Sequence, residues 1–472
     1  MTGGAFLAMP VYRGMEMIEE TLRSILAQTF EDFHLVMSVD GSDDPTIEIC
    51  RKYTHDPRID MVVQERHLGW PGNFNWLFEH CDREFFCYWQ QDDLASTGYL
   101  ENLRTELLAR PDASIAYTDV QWFGERSDKE GTPSIEGDPL TRIMQQIEGI
   151  RFEPLRGLMR ASMLPQLGDA IPVTEDESCQ EEFVFLTKMA AAGAFVRVEE
   201  AMYFKRMHRD NVFSRWRHFP DWRRRRGWIS MGAGMHRIAR QYSPKHLLPE
   251  ILAQIIDRLA IDRPGRAHFY IPAQTGPELG RFVRDFVSFA DVDGDNLRYI
   301  SDSSVEASGS IHPEIRLSLD RELAAVEQRA NLRAELLEEG SVSVFVDDTT
   351  QQALVGYGWS VTETWGVWSD GGEATIRIPA PRGSSWRATI EVRVYAPGGV
   401  ARVGYSQDRL AARYLDAPGD EPLSFTVESQ PDTESLVRFH LPDARAPRDD
   451  ALSKDARKLG IGLTRIEIEL IR

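Results

Sequence analysis

The chain has 472 residues, too many for one ordinary domain, and its 42% hydrophobic, 10% aromatic and 27% charged residues are the balance of a folded protein rather than a disordered one. A formal net charge of -20 leaves no broad basic face for neutralising phosphates, so nucleic acid is not an expected partner. Small anions stay within reach of a local basic cluster or a bound metal.

Residues 1 to about 120 alternate short apolar runs with helical patterns, the mark of a mostly parallel, doubly wound sheet. Ala5 to Met9 reads as a first strand ended by Pro10-Val11-Tyr12, and Ile18, Leu22, Ile25 and Leu26 then share one helical face. A second strand, His34 to Val39, runs into the polar turn Asp40-Gly41-Ser42-Asp43-Asp44, and Pro45 suits the start of the next helix. A third, Ile59 to Val63, is followed by Gly69, Pro71 and Gly72 and an aromatic helix from Asn73 to Phe78. Glu84 to Trp89 is the fourth, and its run FFCYWQQDD stops at Asp92 and Asp93. Ligands of such sheets bind beyond the carboxyl ends of the strands, where Pro10, Asp40, Gly69 and Asp93 all fall.

Ser114 to Val120 reads as a further strand, Gly124 to Pro139 as a mobile polar loop, Phe183 to Ala192 as a helix closed by Gly193, and Phe195 to Val198 as a short strand. Trp216 to Trp228 marks the end of the first domain, expected over 1–228. From 229 to 340 the pattern is helical, with apolar stripes at Ile251, Leu252, Ile255, Ile256 and Leu259 and at Leu279, Phe282, Val283 and Phe286. Beyond Gly340 the period becomes 2, as in Trp386, Ala388, Ile390, Val392 and Val394, which predicts an all-β sandwich over 341–472.

Hard oxygen ligands such as an Asp pair suit Mg²⁺ or Mn²⁺, which bind through one or two carboxylates together with substrate phosphates. Several motifs in order point further: Pro10-Val11-Tyr12, Ser24 to Thr29, Val39 to Asp44, Gly69 with Asn73 and Asn75, Gln91-Asp92-Asp93, Glu181-Glu182, and Arg206-Met207-His208. Together they resemble the family-2 glycosyltransferases, inverting enzymes with the Rossmann-like GT-A fold, over about residues 4 to 215. The resemblance implies that Pro10 and Tyr12 line a nucleotide pocket, that Asp40 bonds the nucleobase, and that Gly69, Asn73 and Asn75 belong to the donor site. It makes Asp93 the metal ligand, with Asp92 on the ribose or a metal-bound water and Gln91 in place of the motif's first aspartate. Glu182, eleven positions before Gly193, matches the catalytic base, where most members carry aspartate. His208 matches a diphosphate or metal contact and Arg206 a supporting cation.

Two stretches lie outside these motifs. Between Arg209 and Arg226 seven arginines interleave with Trp216 and Trp222, either to bind an anionic, lipid-linked acceptor at a membrane surface or as a solvated face. Tyr357, Trp359, Trp365 and Trp368 either stack on sugars or pack a core, in a segment similar to accessory β-sandwich domains of bacterial glycosyltransferases. Cys50, Cys81, Cys87 and Cys179 show no CxxC spacing, so neither zinc site nor disulfide framework is expected and a reducing cytoplasm fits. With no leader pattern and no run of about 18 apolar residues, the chain is expected to be cytoplasmic, with at most peripheral contact at the inner membrane face.

The expected activity is transfer of a sugar from a nucleotide diphosphate, UDP above all, to a hydroxyl of a glycan or lipid-linked acceptor during surface polysaccharide assembly, with Mn²⁺ or Mg²⁺. The rival readings are a decayed domain that only binds glycans and a nucleotidyltransferase. Phe6 to Arg13 lacks the glycine-rich basic loop that the latter needs.

Overall fold

The computed structural model describes residues 2–41, 45–163, 170–172, 181–208, 216, 218–263, 270, 276–290, 292, 311–345, 353–363, 366–379, 385–397, 399–407, 411–419, 422–428, 435–447, 457 and 459–471. The chain divides into two compact units, one of Met1–Ser243 with Gly265–Phe269 and one of Pro244–Pro264 with Tyr270–Arg472.

The first unit is built on one mixed sheet. Its strands are β1 (Thr2–Val11), β2 (Phe33–Val39), β3 (Ile59–Val63), β4 (Arg83–Tyr88), β5 (Leu94–Ala95), β6 (Ala113–Gly124), β7 (Lys129–Glu130), β8 (Leu158–Arg160) and β9 (Ala194–Met207), in the order β3-β2-β1-β4-β8-β6-β9-β5 with β7 on β6. The β3, β2, β1 and β4 strands run parallel, β8 enters antiparallel between β4 and β6, and β9 runs parallel to β6. Ala5, Leu7 and Met9 on one face of β1 and Phe6 and Ala8 on the other are all buried, as expected of a central parallel strand covered on both sides.

Helices cover both faces: α1 (Ile18–Leu26), α2 (Thr46–Tyr53), α3 (Gly69–Glu79), α4 (Tyr99–Ala109), α5 (Pro139–Gly149), α6 (Glu181–Ala192) and α7 (Asp221–Tyr242). The α1 helix buries Ile18, Leu22 and Ile25, the stripe its spacing predicts. Phe74 and Phe78 of α3 meet Phe86 of β4 and Phe185 of α6 with centroids 5.5–5.8 Å apart, so α3 and α6 share one aromatic layer over the sheet.

Two expectations change here. The stretch 124–139 is not a free loop: β7 pairs with β6, Ile135 bridges to Phe195, and the Tyr117 hydroxyl donates to the carbonyls of Thr132 and Pro133. The short strand at 195–198 is the first part of the 14-residue β9, which changes register against β6 between Thr118 and Val120.

The second unit opens with α8 (Leu248–Ala260), α9 (Gly276–Ala290) and α10 (Pro313–Glu339), followed by strands β10 (Ser341–Phe345), β11 (Trp359–Glu363), β12 (Gly366–Ser369), β13 (Glu373–Ile378), β14 (Trp386–Val394), β15 (Val400–Gln407), β16 (Arg413–Pro418), β17 (Pro422–Glu428), β18 (Ser435–His440) and β19 (Ile461–Leu470). They form a six-stranded and a four-stranded antiparallel sheet, and alternate residues such as Ile390, Ile466, Val403 and Phe439 fill one core between them. Trp359 and Trp386 are fully buried, and Tyr357 nearly so, so these aromatics pack the core. Trp365 lies outside the described residues.

Candidate functional site

The acidic pair stands where β4 ends. Trp89 still pairs with the central strand through its N–H to the Ala8 carbonyl, at 2.9 Å; the chain then turns through Gln90 to Asp93 and re-enters the sheet as β5. That short strand runs antiparallel to β9, Leu94 opposite Phe204 and Ala95 opposite Tyr203. The pairing brings the turn beside the last residues of β9, Lys205 to Met207, and His208. A strand alternates its faces, so consecutive residues there do different work.

Asp92 and Asp93 receive opposite environments. His208 Nε2 lies 2.9 Å from Asp92 Oδ2, and these side chains keep 22% and 15% of their surface exposed, enough for a ligand to reach them. Burial would raise Asp92, but the hydrogen bond from His208 and the charge of Lys205 outweigh it and hold the group below the usual carboxylate range.

Asp93, expected from the motif as the metal ligand, has no exposed surface. Its Oδ1 accepts the Arg206 backbone N–H at 2.9 Å, and its Oδ2 faces Lys205 Nζ at 3.7 Å. Burial pushes it up to about 6, against the attraction of Lys205. Of the pair, Asp92 is the carboxylate that faces outward.

Behind the pair is a buried polar group that the motifs did not announce. Gln90 Oε1 accepts from Lys205 Nζ at 2.6 Å and from Arg156 at 2.9 Å. Burial lowers Lys205, with Asp93 opposing. Arg206 donates through Nε to the Asp92 carbonyl at 3.0 Å, pairs with Glu20 and lies 4.4 Å over the Phe123 ring. The turn is therefore held from both sides by cations. Lys205 lies beyond the short strand expected at 195–198, and Arg156, from a 3-10 turn at Glu153–Arg156, left no signal in the sequence.

A second group forms at the ends of β1 and β2. Pro10 lies in β1 opposite Ser38, and Tyr12, 37% exposed, follows it. The Tyr12 ring tilts at 46° toward His67, centroids 5.0 Å apart, and His67 Nδ1 is 3.0 Å from Asp40 Oδ2. Asp40 is buried and its Oδ1 accepts the Leu68 N–H at 2.6 Å, which ties the end of β2 to the start of α3. Gly69, at φ 68°, makes the entry into that helix in a conformation that favours glycine.

Asn73 and Asn75, expected at the donor site, spend amide groups on the protein. Asn73 Nδ2 donates to the Ser38 carbonyl at 2.9 Å, and Asn75 pairs in both directions with the backbone of Ile171, at 2.7 and 2.9 Å. Glu182 and Glu181 open α6 and are nearly buried, where the positive end of the helix dipole favours carboxylates. The helix ends against backbone: a Cβ on Gly193 would lie 2.7 Å from the Asp112 carbonyl oxygen. Of the basic aromatic stretch, Arg209 to Arg215 and Arg217 lie outside the described residues, while Trp228 and Arg225 are buried within the first unit and Arg223 lies 3.7 Å over Phe219.

Among the described residues there is no cluster of three or more His, Cys, Asp or Glu groups placed to hold a metal, and no helix long and apolar enough to cross a membrane. Asp92 and His208 nevertheless suit a Mg²⁺ or Mn²⁺ ion that takes its remaining ligands from phosphate and water.

Residues 7–161 match the sequence profile described as "Glycosyl transferase family 2", and residues 339–470 that of a "Domain of unknown function (DUF7024)". An uncharacterized glycosyltransferase of Haemophilus influenzae is 21% identical over 216 residues, 44% of this chain and 66% of its own length. The glycosyltransferase GlyA of Streptococcus pneumoniae is 24% identical over 116 residues, 25% of this chain and 16% of its own length. The chain thus spans just under two thirds of the first relative and about one sixth of the second. The crystal structure of S. aureus TarS in complex with UDP-GlcNAc superposes with a TM-score of 0.50 at 16% identity, covering 73% of this chain and 95% of that one, a likeness of fold.

Proposed function

The N-terminal unit carries a family-2 glycosyltransferase domain of the GT-A fold, and on that premise we propose that the chain transfers a sugar, with inversion, from a UDP-linked donor to a hydroxyl of a glycan or lipid-linked acceptor at the cytoplasmic side of a membrane. The observation that carries the reading is the outward-facing Asp92–His208 pair at a strand end, backed by Lys205, Arg206 and Arg156. A strand-end carboxylate with an imidazole and a basic surround suits a nucleotide diphosphate. The bound UDP-GlcNAc of TarS supports uridine as the base.

We assign the cation to Asp92 and His208 rather than to Asp93, whose oxygens already face the Arg206 N–H and Lys205. A divalent ion held there would offset charge on the departing diphosphate. Arg206 and Lys205 fix the turn in which Asp92 stands, and Tyr12, His67 and Asp40 receive the nucleobase. Glu182 is the base: it takes the proton from the acceptor hydroxyl as that oxygen bonds to the anomeric carbon. The bond from that carbon to the diphosphate oxygen breaks in the same step, and its electron pair leaves with the nucleoside diphosphate.

The test is incubation of the full chain with a panel of nucleotide sugars, with Mn²⁺ or a chelator, scored for released nucleoside diphosphate. Metal-dependent release is expected, and Glu182→Gln should lower kcat by about 100-fold or more while the donor KM changes little. Pyrophosphate release would indicate a nucleotidyltransferase. Turnover indifferent to Glu182→Gln, or none with any donor, would overturn the reading.

A further inference from the structure

Gln91 sits beside Asp92, yet its amide is committed elsewhere. Its Oε1 accepts the Tyr12 N–H at 3.0 Å and its Nε2 donates to the Tyr12 carbonyl at 2.8 Å. One side chain thereby makes the paired bonds that a neighbouring strand would make. The turn so held is an unusual one. Arg13 has φ 50°, a left-handed conformation that costs a non-glycine residue energy unless its surroundings enforce it. Gly14 leaves the room: a Cβ there would lie 2.5 Å from Gln91 Oε1.

The same Tyr12 carries the ring that meets His67, and His67 reaches Asp40. An unbroken line of contacts therefore runs from the turn of the acidic pair, through Gln91 and Tyr12, to the group assigned above to the nucleobase. Only a side chain with both a donor and an acceptor at this length can close it. A carboxylate accepts but does not donate at neutral pH, and Asn is one methylene shorter.

We propose that Gln91 is a positioning residue that locks the Tyr12–Gly14 turn, so that the Tyr12–His67 wall is preformed and in register with Asp92 and His208. The inference rests on the donor-site reading above. It also gives the motif departure a function: Gln91, standing in place of the first aspartate, is a clamp and not a cation ligand, and replacing it with an acid removes that clamp instead of restoring a charge.

Full-length protein and the variants Gln91→Ala, Gln91→Glu, Gly14→Ala and the Gln91→Ala/Gly14→Ala double would be titrated with UDP and with GDP in the presence of Mn²⁺. Donor KM and kcat would be measured beside, and amide exchange of Tyr12 followed by NMR. Loss of preorganisation should weaken UDP binding about five- to ten-fold in each single variant and appear in KM rather than kcat. Because Gly14→Ala acts by displacing the Gln91 amide, the double variant should bind no more weakly than Gln91→Ala alone. Tyr12 amide exchange should quicken in every variant.

Tighter UDP or Mn²⁺ binding by Gln91→Glu would make Gln91 a ligand position and overturn the inference. So would additive losses in the double variant, or Tyr12 exchange unchanged by Gln91→Ala. Failure of the wild-type protein to bind either nucleotide would overturn the donor-site reading itself, with the role proposed here for the wall, while the exchange rates would still decide whether the clamp exists.

Discussion

Two adjacent aspartates that look alike in sequence are separated by strand geometry into an outward and an inward group. Asp92, held ionised by His208 and Lys205, is suited to a cation, whereas Asp93, raised to about 6 by burial, is suited to anchoring Lys205. Their substitutions should therefore differ. Asp92→Asn is expected to raise the Mn²⁺ concentration for half-maximal turnover by more than about ten-fold, because one of at most two protein ligands loses its charge. Asp93→Asn should change that concentration by less than about three-fold and lower the thermal midpoint instead, since the buried Lys205 would lose the carboxylate 3.7 Å from it and keep only the weaker attraction of Asp92. A Mn²⁺ titration of both variants checks this, and the reverse ranking would return the cation to Asp93. At this scale the sequence was a partial guide: it marked the turn, because an apolar run ending in acids is visible, but not which acid faces out. That depends on β5 pairing with Tyr203 and Phe204, more than a hundred residues downstream. The engagement of Asn73 and Asn75 with Ser38 and Ile171 is hidden for the same reason, since a motif shows spacing and not partners.

At the scale of elements, hydrophobic period served well wherever an element buries one face or both. The β2, β3 and β4 strands were legible to within a residue, and α1 through its Ile18–Leu22–Ile25 stripe, whereas β1 starts before the expected Ala5 and β9 runs on to Met207, well past the expected Val198. The two-residue β5 and β7 were not, because two residues carry no period. In the second unit, α10 carries a buried Glu322 that burial raises to about 7, although Arg284, Arg329 and Arg377 pull the other way. An unfolded glutamate titrates near 4.3, so the folded state binds this proton more tightly than the unfolded one. The contribution is thus fully present below about pH 4.3 and is lost as pH rises through 7, by an upper estimate of about 4 kcal/mol. In thermal melts the midpoint of Glu322→Gln relative to wild type should move in the variant's favour between pH 4.5 and pH 8. A difference that stays constant over that range would show that Glu322 does not titrate in this way.

At the scale of the whole molecule, every residue assigned to the donor site lies between Pro10 and His208, within a unit whose contiguous part ends at Ser243 and whose core is its own. A fragment of residues 1–243 is expected to bind UDP with Mn²⁺ within about three-fold of the full chain, as a unit with a self-sufficient core should. Isothermal titration of the two proteins checks it, and a fragment that folds by circular dichroism yet loses UDP would show that the second unit contributes to the donor site. The change of period at Gly340 made the sandwich legible as such, whereas the burial of Trp359 and Trp386 was open, since aromatic density reads alike in a core and on a sugar platform.

The continuity of α6 and β9 sets how this protein can vary. Glu182 lies on the first turn of the helix, Gly193 alone separates helix from strand, and the strand ends at Met207, just before His208. Along a strand, sidedness is counted in ones. From Val198 to Tyr203 β9 advances five residues where β6 advances two, so a length change there meets an irregular stretch, whereas deleting or inserting a single residue between Tyr203 and Lys205 would exchange the inward Lys205 with the outward Arg206. Natural or engineered variants should therefore tolerate substitutions here more readily than changes of length, and chimeras that trade acceptor specificity should be cut before Glu181 or after His208.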